Sequence, residues 1–209
     1  MQPIRYTMRQ QTLWVGIFAA VLIWSAIDPK DYFTWFLEVF PALVGFGLIV
    51  ATYKRFPLTP LLYTLILLHM IVLMVGGHYT YAEVPLFDWI RDVLHQDRNN
   101  FDKLGHFMQG FEPAILAREI LLRRHVLAKR GLWLAYIVLS IVLAFSAFYE
   151  LVEWWVALAT GEDATAFLGT QGYVWDTQSD MMWCLAGGLS ALALLSRLHD
   201  RQLARIEEA

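Results

Sequence analysis

The chain alternates long apolar runs with short polar ones, and its run lengths match a bilayer better than a soluble core. Six runs, at about 13–27, 33–52, 59–77, 104–122, 132–160 and 181–197, are long or nearly long enough to span, a bilayer needing about 20 mostly apolar residues. The first is short, and the second holds Glu38 and Pro41 near its start. The fourth is the least apolar, with Glu112, Pro113, Arg118 and Glu119, as expected of a buried, substrate-facing helix. Between the third and fourth runs, a short piece at 87–94 puts Phe87, Trp89, Ile90, Val93 and Leu94 among charges and reads as an interfacial helix. The loop at 161–175, rich in Gly and Thr, reads as a cover with glycine hinges, and the segment from Arg197 onward as a short charged helix or tail.

This pattern predicts an all-α, polytopic membrane protein with six transmembrane helices and a single transmembrane domain over 1–209. Lys and Arg set the orientation, because they concentrate on the cytoplasmic side. With the N-terminus inside, the inner segments carry Arg5, Arg9, Lys54, Arg55, Arg118, Arg123, Arg124, Lys129, Arg130, Arg197, Arg201 and Arg205. The outer segments then carry only Lys30, Arg91, Arg98 and Lys103. Every loop agrees with an N-in, C-in arrangement.

Composition supports this and narrows the function classes. Hydrophobic residues make up 58% of the 209, far more than one soluble core requires. A net charge of −3 with no basic, aromatic-interleaved block excludes a nucleic-acid footprint. The single cysteine, Cys184, lies in an apolar run, so it supports neither an internal disulfide nor a thiolate metal site. The N-terminal run resembles a signal peptide but has no convincing small-residue cleavage site before Asp28, so a retained span is expected.

The polar residues inside the runs carry the candidate chemistry. Asp102, His106 and Gln109 fall at i, i+4 and i+7, one stripe of a helix. Glu150 and Glu153 share a face at i, i+3, as do Asp176 and Asp180 at i, i+4. The alternating topology brings these residues, with His78 and Tyr79, to the outer ends of four helices. Carboxylates held this close repel one another, which leaves three outcomes: a bound divalent metal, shared protons, or pairing with His106, His78 and Lys103. The metal-ligand set is Asp102, His106, Glu150, Glu153, Asp176 and Asp180; the catalytic set is His106 as general acid or base with Glu150 and Asp180. Deeper in the bilayer, His69 and Glu112 are expected at matching depth, as an ion pair, proton relay or packed hydrogen bond. Asp102 as a helix N-cap and His106 as a satisfied interior side chain is the plainer alternative.

Asp102-Lys-Leu-Gly-His-Phe107, then Tyr149-Glu-Leu-Val-Glu153, then Asp176-Thr-Gln-Ser-Asp180 followed by Gly187-Gly188, resembles the VanZ-like membrane proteins over roughly residues 101–195. Glu153 and Asp180 stand near places where that family shows Gln and Asn, a more carboxylate-rich arrangement that suits a metal. The whole chain resembles a family of bacterial inner-membrane proteins of unknown function, which implies a multi-pass inner-membrane location. The resemblance to VanZ-like proteins implies a link to the cell envelope. Together these readings suggest a metal-dependent hydrolase or transferase acting on a membrane lipid head group or lipid-linked intermediate. A cation- or proton-coupled transport or binding protein and a purely structural polar core are the alternatives. No nucleophile motif such as Gly-x-Ser-x-Gly favours the enzyme.

Overall fold

The structure is a computed structural model, and it describes residues 6–127, 131–160 and 170–207. Arg5, Lys129, Arg130, Glu162, Asp163 and most of the expected covering loop lie outside the described residues. Seven helices, with no strand among the described residues, run in the order α1 (Met8–Ser25), α2 (Tyr32–Thr52), α3 (Pro60–His78), α4 (Pro85–Leu94), α5 (Phe101–Arg123), α6 (Leu132–Thr160) and α7 (Asp176–Glu207).

Local signals explain the boundaries. Thr7 and Gln10 form a capping box that opens α1. Asp31 caps α2 by accepting the Thr34 N–H at 2.6 Å, and that hydrogen bond holds its carboxyl below the usual Asp range. Thr59 caps α3, with Pro60 in the first turn where no N–H is needed. The piece at 87–94 is part of α4, which ends at His95 in the left-handed region (φ 52°).

Four helices, α2, α3, α6 and α7, are long and apolar enough to cross a membrane, which corrects the expectation of six on the same measure. The two that fall short do so for physical reasons. All 18 residues of α1 are needed to span, and these include Arg9, Gln10 and Gln11. α5 carries Asp102, Lys103, Glu112, Arg118, Glu119 and Arg123. The C-terminal segment is also corrected: it is no separate tail but the last turns of α7, where His199 and Leu203 are fully buried.

α5 is the hub. It packs most extensively on α7 and also meets α3 and α6, while α1 and α2 pack on α3. Glycine makes the α5–α7 approach possible: a Cβ on Gly110 would collide with the Cys184 carbonyl oxygen, and one on Gly187 with that of Phe107. The outer faces of α2 and α6 expose Phe33, Phe36, Phe40, Phe145, Phe148 and Leu151, an apolar surface suited to hydrocarbon. On α6, Trp133 and Trp154 are 21 residues apart (154 − 133), or ~32 Å at about 1.5 Å per residue, close to the ~30 Å thickness of a bilayer core.

Helix ends meet in two groups. At one end the Lys30 N–H donates to the His78 carbonyl, Tyr81 just past α3 packs on Phe101, and Arg98 reaches Asp176, so the starts of α2, α5 and α7 gather at the end of α3. At the other end a buried network joins α3, α5 and α7. Glu119, fully buried, accepts from the Thr59 N–H and hydroxyl, from Arg123 and from His199 Nε2 at 3.0 Å. Arg118 can only donate, so His199 Nδ1 accepts from it at 2.9 Å and Nε2 carries the proton toward Glu119. Gln202 accepts the Leu61 N–H, satisfying another donor at the α3 start. Arg118 and Glu119 thus act as a structural joint at the end opposite the acidic cluster.

Candidate functional site: a carboxylate–histidine centre

The site forms where α5 and α7 begin and α6 ends, so side chains far apart in sequence converge at one end of the bundle. Asp102 does not cap α5. Asn100 holds that position without a side-chain capping bond, while Asn99 Oδ1 accepts the Phe101 N–H at 3.1 Å. Asp102 is therefore free to face α7. One turn later Gly105 leaves space for the Tyr81 ring, which a Cβ there would crowd.

Two groups of ligand-type atoms result, each within 4.8 Å internally: Asp102, Asp176 and Asp180 in one, His106, Glu150 and Asp180 in the other. Their chemistry differs. In the first, Lys103 Nζ sits among the carboxylates, 2.6 Å from Asp180, 2.9 Å from Asp176 and 3.2 Å from Asp102. Arg98 adds bonds to Asp102 and, at 2.6 Å, to Asp176. An ammonium with three donors thus stands where a metal would otherwise be held. This group is an ion-pair network.

The second group has acceptors but no cation between them. Gln109 Oε1 lies 3.2 Å from His106 Nδ1 and can only accept, so Nδ1 carries the proton of the neutral ring. The Nε2 lone pair then faces Asp180 Oδ2 at 3.7 Å. Glu150 Oε1, 4.0 Å from Nδ1, is buried and makes no hydrogen bond. Such an arrangement of facing acceptors is stable when a proton or a metal ion lies between them.

Glu153 belongs to neither ligand group among the described residues. It lies near Glu150 and Glu38, with Tyr149 close by. Counting Glu38, Asp102, Glu150, Glu153, Asp176 and Asp180, six carboxyl groups share this region with the cations Arg98 and Lys103. His78, expected near the cluster, instead turns to the Ser25 carbonyl at 3.1 Å and to the Trp24 ring. The deeper pair does form, His69 Nδ1 lying 3.1 Å from Glu112 Oε2. Arg98, Glu38 and Tyr149 were missed by sequence reasoning; Glu38, a charge within an apolar run, was the one usable signal.

A cavity of about 790 Å³ adjoins the network, with Arg98 and Lys103 common to both. Phe87 and Ile90 of α4 form one wall, and Leu104, Phe107 and Trp183 form another. Gln171 ties the chain before α7 across the cavity mouth, exchanging hydrogen bonds with both the N–H and carbonyl of Asn99.

An all-helical membrane protein with a polar centre at one end of its bundle is the class that this fold and site define, and the comparisons agree. The chain belongs to the family described as predicted membrane proteins (DUF2238), which matches residues 10–201. It is 52% identical over 185 residues to the inner membrane protein YjdF of Escherichia coli (strain K12), covering 88% of each chain. It is thus a multi-pass protein of the inner membrane. No solved structure matches. The family model that matches is not that of the VanZ-like proteins.

The Lys103 network yields a stability test. Lys103→Met leaves three buried aspartates with Arg98 alone, and breaking such a pair from one side costs about 3–5 kcal/mol. Unfolding in detergent should show that loss, with partial recovery on adding Asp176→Asn. An unchanged midpoint for Lys103→Met would mean that solvent, not the ammonium, compensates the aspartates.

Proposed function

We propose that His106, Glu150 and Asp180 bind a divalent cation, and that this centre serves a hydrolase or transferase acting on the head group of a membrane lipid. The observation that carries the reading is the set of facing acceptors: Glu150 Oε1 without a partner, the Nε2 side of His106, and Asp180 Oδ2. Imidazole with carboxylates suits Zn or Mn, and Asp102, Asp176 and Glu153 supply further negative charge nearby. A bound cation would polarise a phosphoryl or acyl oxygen. Lys103, which touches Asp180 and lines the cavity, would orient the substrate, and His106 would exchange protons with it.

The full topology belongs to this reading. All six long helices span, in an N-in, C-in arrangement over one transmembrane domain, with the centre facing the periplasm. The two groups of helix ends support the alternation, and the bias of Lys and Arg supports its direction. α5 crosses despite its polar residues because it is enclosed by α3, α6 and α7, and α1 crosses with Arg9, Gln10 and Gln11 confined to its first turn.

A second reading is proton- or cation-coupled transport. It draws on the polar stripe of α5, which continues from Asp102 through His106 and Gln109 to Glu112, paired with His69 and carrying an unbonded Oε1.

Two outcomes are expected. Reporters fused after Ala209 and inserted at Gln96 should report cytoplasm and periplasm respectively; a periplasmic C-terminus would place the centre on the wrong side. In detergent, Mn or Zn at about a hundred times Kd should stabilise the protein by roughly 2.7 kcal/mol. Asp180→Asn should largely abolish the shift. Should neither ion shift the wild-type midpoint, the metal reading fails and proton sharing among the acceptors takes its place.

A further inference from the structure

The cavity beside the centre has a composition that selects a ligand. Its α4 wall is a ten-residue helix whose Leu86, Trp89 and Val93, spaced i, i+3 and i+7, share an outward face and are each more than half exposed. Asp88, Arg91 and Asp92 bond to one another, leaving that face as the apolar one. A helix of this kind lies in the head-group layer of a membrane. Phe87 and Ile90 turn the other way and line the cavity, so the cavity opens at the depth where lipid head groups meet acyl chains. Leu104, Phe107 and Trp183 continue the apolar wall toward the bundle.

The polar end is defined by charge. Arg98 and Lys103 line it, but Asp102, Asp176 and Asp180 bond to them, and Asp97 lines the same end. Two cations face four carboxylates, so a purely anionic head group would add charge of the sign already in excess. A zwitterion is matched: it brings no net charge to an end where Lys103 and Arg98 already bond carboxylates, and its ammonium meets Asp97. A primary ammonium also offers three N–H donors, which the amide oxygens of Gln96 and Asn100 at the same rim can accept.

We infer that the cavity between α4, α5 and α7 binds one molecule of an ethanolamine-type, zwitterionic phospholipid, its amine at Asp97. This rests on the reading that the centre acts on a membrane lipid, and it names that lipid's class. The volume, about 790 Å³, holds the head group and the upper parts of the chains.

The test uses full-length protein in detergent with EDTA present, so that its result does not depend on metal binding. Phosphatidylethanolamine, phosphatidylglycerol and phosphatidylcholine are added in equal amounts, and retained lipid is counted by native mass spectrometry. Phosphatidylethanolamine should be retained as a single adduct, preferred over each of the others by about three-fold, the size of effect that one exposed charge contact gives. Asp97→Asn, at an exposed loop position, should reduce the preference over phosphatidylglycerol toward one. Ile90→Trp, which puts a bulkier ring on the α4 wall, should weaken retention of the adduct. Equal retention of all three lipids, a preference for phosphatidylglycerol or phosphatidylcholine, or an adduct as abundant in Ile90→Trp as in the wild type would each overturn the assignment. A retained adduct in a protein that shows no metal shift would leave the lipid site standing and remove only the proposed chemistry.

Discussion

α5 carries more charge than a lipid-facing helix tolerates, and the rest of the fold follows from having to enclose it. Asp102, Lys103, Glu112, Arg118 and Glu119 are each more than nine-tenths buried. In hydrocarbon each would be heavily penalised, so every one must face protein. α3, α6 and α7 provide that enclosure, and the small residues Gly110 and Gly187 bring the α5 and α7 backbones close enough for short polar side chains to meet. The charges are then divided by depth. Near one end, Glu119 with Thr59, Arg123 and His199 satisfies the α3 start and locks three helices together. Near the other, the acidic cluster is only partly compensated.

That difference separates structure from candidate function within one helix. Both Glu119 oxygens are bonded, and His199 has a donor on one ring nitrogen and an acceptor for the other. Such a network is complete and needs no ligand. The His106, Glu150 and Asp180 group lacks that completeness, for Glu150 Oε1 is buried without a bond. Lys103 stands between the two conditions, saturating one aspartate trio while sharing Asp180 with the incomplete one.

Much of this was legible in the sequence, because run length and helical spacing depend on local chemistry alone. The runs at 33–52 and 132–160 agree closely with α2 and α6. The i, i+4 and i+7 placement of Asp102, His106 and Gln109 anticipated a shared face, and the His69–Glu112 pair was anticipated from depth. What could not be read depends on three-dimensional neighbours. Nothing local shows that Lys103 would fill one aspartate trio or that Arg98, from a loop, would reach Asp176. Nor does spacing reveal that His78 would turn to Ser25, or that His199 would be buried in what read as a charged tail. Hydropathy sets α1 and α5 apart from the four candidate spans because it scores their polar residues as if each met lipid.

The central claim is that the incomplete trio is a metal site with His106 as a ligand. It is tested most directly by pulsed electron paramagnetic resonance on Mn-loaded protein in detergent. If His106 is a ligand, the spectrum shows nitrogen modulation from one directly bound imidazole, absent in His106→Gln and unchanged in His69→Gln. Bound Mn with no nitrogen coupling, or a coupling that survives His106→Gln, would contradict it.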